Sequence, residues 1–261
     1  AAKYYKMAAN QGYVDAQYNL GILYEDGRGV DQSDDEAVKY YKMVAGQGDA
    51  DGQFKLGYMY DKGRGVGQSD DEAAKYYKLA SDQGHAIAQY NLGILYEDGR
   101  GVDQSDDEAV KYYKLAADQG HAGAQCCLGV MYESGRGVSQ SNDEAIKYYR
   151  LAADQGDADA KYNLGNMHAF GRGTTQNDDE AAGYYKLAAD QGHAPAQCNL
   201  GVMYRYGRGI EQSDDEAAKY YKLAANQGHA GAQCKLGSIH KYGRGVAQND
   251  DEAVKYYKLA A

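Results

Sequence analysis

The sequence predicts an all-α fold, a solenoid of tandem helix–turn–helix repeats with a period of 36 residues. Two series carry this expectation. The triplet Gly-Arg-Gly begins at Gly27, Gly63, Gly99, Gly135, Gly171, Gly207 and Gly243. The pair Tyr-Tyr begins at Tyr4, Tyr40, Tyr76, Tyr112, Tyr148, Tyr184, Tyr220 and Tyr256, with the same 36-residue step. A fixed period between about 20 and 50 residues marks a repeat array. The composition agrees: 34 glycines and one proline occur without any Gly-X-Y pattern, so the glycines read as repeated turns. In this register residues 1–12 form a partial repeat, 13–48, 49–84, 85–120, 121–156, 157–192 and 193–228 are full repeats, and 229–261 is nearly complete.

Each repeat holds two helix patterns, expected near 34–46 and 50–62 and every 36 residues from there. The Tyr-Tyr helix starts at a capping box: Ser33 and Glu36 have the spacing in which each side chain satisfies the other residue's free N–H. The box recurs at Ser69/Glu72, Ser105/Glu108, Ser141/Glu144 and Ser213/Glu216, with asparagine in place of serine at Asn177/Glu180 and Asn249/Glu252. Acidic residues after the cap suit the positive helix end, and Asp35 is expected to pair with Lys39 one turn on. Gly48 supplies the left-handed residue that stops the helix.

The Leu-Gly helix runs from about His85 to Gly99. Ala88, Leu92, Leu95 and Tyr96 form its apolar stripe. Pro195 sits near the start of the equivalent helix, where its missing N–H costs little. Helices this short are marginal alone, so they must bury their stripes on neighbouring repeats. Gly21, Gly57, Gly93, Gly129, Gly165, Gly201 and Gly237 recur in mid-helix although each costs about 1 kcal/mol relative to alanine. They point to a close approach, with a tyrosine ring against bare backbone. Tyr41, on the side of Ala37, Val44 and Ala45, is the expected core residue, and Tyr40 is expected to pack toward the adjacent repeat.

These motifs resemble the Sel-one-like repeat family, relatives of the tetratricopeptide repeat. The pattern reads here from Ala86 to Val102 and from Glu108 to Gly120, and the likeness covers essentially the whole chain. It implies right-handed superhelical stacking of antiparallel helix pairs and a role as an adaptor or scaffold. The Tyr-Tyr helix occurs eight times and the Leu-Gly helix seven. The chain begins inside a repeat without an initiator Met, so it is expected to belong to something longer, or to stack end to end on another chain.

The copies differ from one another mainly in the Leu-Gly helix, at the columns that start with Asp15, Tyr18, Asn19, Ile22, Glu25 and Asp26. These six fall within an arc of about 120°. We read this arc as a partner-binding face on the concave side; neutral drift on an exposed face is the alternative. Against drift, the outward Lys39 and Lys42 columns stay basic with only Gly183 departing. The acidic front of the face carries Glu25, Glu97 and Glu133, suited to a basic stretch of a partner. Its basic and aromatic back carries Asn166, His168, Phe170, Arg205, Tyr206, His240, Lys241 and Tyr242, including the residue types enriched at interface hot spots.

The expected partner is a protein or peptide. A formal net charge of −10 disfavours nucleic acid, and no apolar run approaches the ~20 residues of a membrane span. No cofactor, metal or catalytic residue is expected. Cys126, Cys198 and Cys234 share one column, with layers roughly 9–10 Å apart, too far for disulfides. They read as free, buried or half-buried thiols compatible with a reducing compartment. His121 and Cys126, and their counterparts, lie about 140° apart on a helix and cannot share a metal; those histidines read as helix starts. Asp31–Glu36 lacks the spacing of a calcium loop. Each Gly-Arg-Gly reads as a helix stop with an arginine pairing nearby acids. Ser238 and Lys241 match the spacing of penicillin-recognising enzymes without the partner motifs, which leaves a hydrolase as a distant alternative.

Overall fold

The structure, a computed structural model, describes residues 2–261. Among these, fifteen α-helices follow one another with no strand. They fall into two compact units. Unit 1, residues 1–139, contains α1 (Ala2–Ala9), α2 (Val14–Asp26), α3 (Asp34–Gly46), α4 (Ala50–Lys62), α5 (Asp70–Asp82), α6 (Ala86–Asp98), α7 (Asp106–Asp118) and α8 (Ala122–Ser134). Unit 2, residues 140–261, contains α9 (Asn142–Asp154), α10 (Ala158–Phe170), α11 (Asp178–Ala189), α12 (Ala194–Tyr206), α13 (Asp214–Asn226), α14 (Ala230–Tyr242) and α15 (Asp250–Leu259). Odd-numbered helices carry the tyrosine pair and even-numbered ones the Leu-Gly pattern. The expected boundaries at 34–46 and 50–62 are those observed. Within each unit consecutive helices pack on one another.

The helix starts follow the predicted caps in half of their chemistry. Ser33 Oγ accepts the Glu36 N–H at 3.2 Å, and the same bond recurs from Ser69, Ser105, Ser141 and Ser213, and from Asn177 and Asn249 through Oδ1. The reciprocal half is absent at Ser33, because its N–H donates to the Tyr24 carbonyl at 2.9 Å. This bond closes the loop after α2 and frees the Glu36 carboxylate. Glu36 then pairs with Lys39 at 3.3 Å, displacing the expected Asp35–Lys39 pair: the longer acid, one residue nearer, reaches the ammonium. On the even helices His85, His121, His193 and His229 cap through Nδ1, each accepting a backbone N–H at 3.1 Å.

Gly-Arg-Gly serves two backbone purposes. Its first glycine is the left-handed residue that ends the even helix, as at Gly99 with φ +67°. Its second, as at Gly101 with φ +65°, lies against the backbone of Asp70 in the preceding odd helix, where a side chain would collide. The loop is thereby seated on the previous layer.

The core is built of rings on glycine. Tyr41, Tyr77, Tyr113, Tyr149 and Tyr221 are almost wholly buried. A Cβ added to Gly93 would stand 2.6 Å from Cε1 of Tyr113, and Gly57 meets Tyr77 in the same way. The pair is unequal as expected. Tyr220 packs into the layer of Tyr185, Leu200 and Met203, whereas Tyr221 joins Ala224, Leu236 and Ile239 of the next. From α3 on, the first ring of a pair can stack on the preceding even helix, as Tyr40 does on Tyr24 at 5.8 Å and Tyr112 on Tyr96 at 5.5 Å.

A glutamine ladder adds a polar link between layers. Gln89 donates to the Ser81 carbonyl at 3.2 Å and accepts from Gln119 at 2.7 Å, thirty residues away. Gln17 makes the same two contacts with Ala9 and Gln47. None of the four cysteines is in a disulfide; Cys126 and Cys198 are buried and Cys127 half-buried. Cys234 departs from expectation and is exposed. The α13–α14 layer that covers Cys198 has no counterpart over Cys234.

The two kinds of helical glycine predict opposite outcomes. Gly93→Ala should destabilise the protein by about 1–3 kcal/mol through overpacking against Tyr113. Gly183→Ala, with nothing within 4 Å of the new methyl, should stabilise it by about 0.5–1 kcal/mol. Denaturant melts of the two variants check this; equal effects would remove the ring-on-glycine account.

Candidate functional site

A buried tyrosine ring carries a hydroxyl that needs an acceptor. In unit 1 Glu25 and Glu97 of the acidic column supply it, whereas the Tyr77 hydroxyl, beside the shorter Asp61, has no such bond. Tyr41 donates to Glu25 at 2.6 Å, while Lys55 and Arg64 approach the same carboxylate at 3.0 Å. Arg64 also binds Asp34 at 2.6 Å, so it bridges α2 and α3 from the following loop. Glu97 repeats the arrangement with Tyr113 at 2.6 Å and Arg136 at 2.9 Å, and Arg136 holds Asp106 at 2.6 Å. Burial pushes the Glu25 carboxyl up. Hydrogen bonds from Tyr41 and Lys55 and the charges of Lys55 and Arg64 outweigh burial and hold it below its usual range. Asp61, one methylene shorter, binds Lys62 at 2.8 Å and Arg100, leaving a cavity of about 130 Å³ beside Tyr77 and Asn91.

The candidate acids therefore face inward chemistry. The Glu25 side chain is only 10% exposed and that of Glu97 26%; Glu133 is half-buried and also engaged. Their charge is largely neutralised inside the fold.

In unit 2 the same column reads Ala169, Arg205 and Lys241. Three consequences follow. Tyr185 finds another acceptor, Asn166 Oδ1, at 2.8 Å. Arg208 keeps a single acid, Asp178, at 2.8 Å. Arg244 lies over the Tyr242 ring at 5.6 Å.

The unit 2 candidates divide into two sets. Asn166 serves Tyr185, and His168 and His240 replace tyrosine in the ring stacks, on Tyr184 at 5.5 Å and Tyr256 at 5.7 Å. Phe170, Tyr206 and Tyr242 point outward, 65%, 63% and 59% exposed. They are the last residues of α10, α12 and α14, and each has a cation over its face. Arg172 stands 5.3 Å from the Phe170 ring, Arg205 5.5 Å from Tyr206, and Lys241 5.4 Å from Tyr242. The ends of α10, α12 and α14 thus each present an aromatic plate with a positive group over it. The inward set was open to recognition in the sequence: position 168 belongs to the column of Tyr24, and Asn166 appears in the one repeat whose acid is alanine. The glutamine ladder was visible only as a repeated letter.

Ser238 is half-buried in mid-α14, and Lys241 lies on Tyr242. Among the described residues no cluster of three or more His, Cys, Asp or Glu could hold a metal ion, and no helix is long and apolar enough to cross a membrane.

The Glu25 clamp gives a pH-dependent expectation. A carboxyl held below its usual value stabilises the fold above the unfolded value, about 4.3, and that contribution is lost as pH falls through the folded value. Glu25→Gln should cost about 1–3 kcal/mol at pH 7. The gap between wild type and variant should narrow below about pH 4. Urea melts at both pH values measure it; a gap independent of pH would exclude the ionised clamp.

Comparison with known proteins places this geometry in a wider set. The model of the Sel1 repeat matches residues 1–13, 14–49, 50–85, 86–121, 122–157, 158–193, 194–229 and 230–261. A comparison with curated protein sequences finds no match. Among solved structures, a protective antigen present in uropathogenic Escherichia coli strains and displaying an SLR fold superposes with a TM-score of 0.90 at 32% identity, over 100% of this chain. The chain spans 56% of that protein's length. A Sel1 repeat protein from Oxalobacter formigenes gives 0.86 at 32% identity, over 94% of this chain and 96% of its own. Yeast Tom70, at 14% identity over 99% of this chain and 53% of its own, gives 0.55 and shares the fold alone. With eight repeat matches from end to end and two such structural relatives, the chain belongs to the Sel1 repeat family.

Proposed function

We propose that this protein is a scaffold that binds a protein or peptide partner along the helix ends of unit 2, the face expected from the sequence to be concave. Scaffolds of this family generally mediate protein–protein interaction, and the fold is typically non-catalytic. The observation that carries the reading is the row of exposed plates at Phe170, Tyr206 and Tyr242, each with its cation. Isolated exposed aromatics are common; the same position exposed in three successive repeats, where unit 1 carries Asp26, Lys62, Asp98 and Ser134, is a pattern. A partner segment that alternates carboxylates with flat or apolar side chains fits it. Arginine and lysine take the carboxylates and the rings supply contact area. Glu25 and Glu97, consumed by the internal clamps, contribute little direct contact in this proposal.

A second reading rests on the exposed apolar groups of the first and last helices. Tyr4, Met7, Val254 and Leu259 are all more than half exposed. End-to-end association of copies would cover them, growing without closure as concentration rises; light scattering across a dilution series separates this from a monomeric scaffold.

Peptides selected from a display library against the full chain should be enriched in Asp, Glu and aromatic residues. Arg205→Glu combined with Tyr206→Ala should weaken the best of them by about 2 kcal/mol or more, close to thirtyfold. Raising salt from about 50 to 300 mM should weaken it further. Undiminished affinity of the folded double variant would move the binding site off this surface.

A further inference from the structure

In one place in unit 2 several framework positions change together. Arg150 stands where every other odd helix carries lysine, Thr174 where the other loops carry valine or isoleucine, and Gly183 where the other odd helices carry lysine. His168 stands in a column that is otherwise mostly tyrosine. Arg150, His168, Thr174 and Glu180 line one cavity of about 340 Å³ between α9, the loop after α10 and the first turn of α11.

Three side chains on its wall lack polar partners. In six repeats the capping glutamate pairs with the lysine three residues on, at 2.8 to 3.3 Å. Glu180 has no such lysine, because position 183 is glycine. Among the described residues neither Glu180 nor Arg150 has an ion-pair partner. His168 is nine-tenths buried and its Nδ1 has no hydrogen bond. A buried polar atom left unsatisfied is uncommon and costly, and here it lies beside two opposite charges left unpaired.

We propose that this cavity binds a small zwitterion of free amino acid to dipeptide size. Arg150 offers a planar fork that matches a carboxylate. Glu180 accepts from an ammonium group, and the unpartnered Nδ1 of His168 offers a further hydrogen-bonding atom. A ligand with only one sign of charge would leave Arg150 or Glu180 unpaired. The volume lies at the lower end of the range for small-ligand pockets, about 300–1,000 Å³. Thr174 supplies a hydroxyl where the other repeats have only methyl groups.

Calorimetric titration of the full chain tests this, with free L-amino acids, unblocked dipeptides, and their N-acetyl and C-amide derivatives as probes. At least one unblocked probe should bind saturably, and blocking either end should weaken it about tenfold or more. Tighter binding of dipeptides than of amino acids identifies the longer class as the ligand. Arg150→Ala should abolish most of the affinity. Gly183→Lys should do the same by giving Glu180 the partner found in the other repeats. That variant installs the side chain the other repeats tolerate, so its fold is retained. If no unblocked probe saturates, if blocked and unblocked forms bind alike, or if Gly183→Lys binds as tightly as wild type, the proposal is overturned.

Discussion

Tyr77 rests on Gly57, Tyr113 on Gly93 and Tyr221 on Gly201, each ring occupying the space that a Cβ would need. Glycine in mid-helix costs about 1 kcal/mol; a fully buried large side chain returns about 1.5–3 kcal/mol. Where the ring is fully buried the contact is therefore favourable, and it creates a second demand. Each buried ring brings a hydroxyl into the space between layers. In unit 1 a carboxylate meets that hydroxyl at Tyr41 and Tyr113, and the carboxylate in turn attracts an arginine from the next loop. The Gly-Arg-Gly turn, the acidic column and the tyrosine pair are thus one linked device.

Most of this architecture was legible because its parts recur. Helix ends, the unequal tyrosines, the packing glycines and the histidine caps each follow from a local rule applied every 36 residues. What escaped depended on contacts thirty or more residues apart, which periodicity marks without explaining. Gln17 and Gln47, only repeated letters in the sequence, form a ladder. Glu25 and Glu97 lie in a column varied enough to suggest a ligand face, yet each is held by a tyrosine of the next helix and an arginine of a later loop. Asn166 is the clearest case. It looks like surface change until Ala169 is seen to have removed the acceptor that Tyr185 needs.

Variation among the repeats consequently has two sources. One is compensation inside the framework, as with Asn166 and with His168 and His240 in the ring stacks. The other leaves side chains with no task inside the fold, as with Phe170, Tyr206 and Tyr242. Only the second kind enters the binding surface proposed above, and separating the two leaves a smaller and more aromatic surface than the sequence alone suggested.

The arginine clamps are not uniform. Arg64 and Arg136 in unit 1 each join two acids from two helices. In unit 2 Arg208 holds one, and Arg244 rests on a ring. In a stack where each layer touches only its neighbours, interlayer links set the stiffness. The doubly tied layers of unit 1 resist shear, whereas the α12 to α15 layers of unit 2 can slide and twist at lower cost. Tyr206 and Tyr242, two of the three aromatic plates, thus stand on the more lightly tied layers.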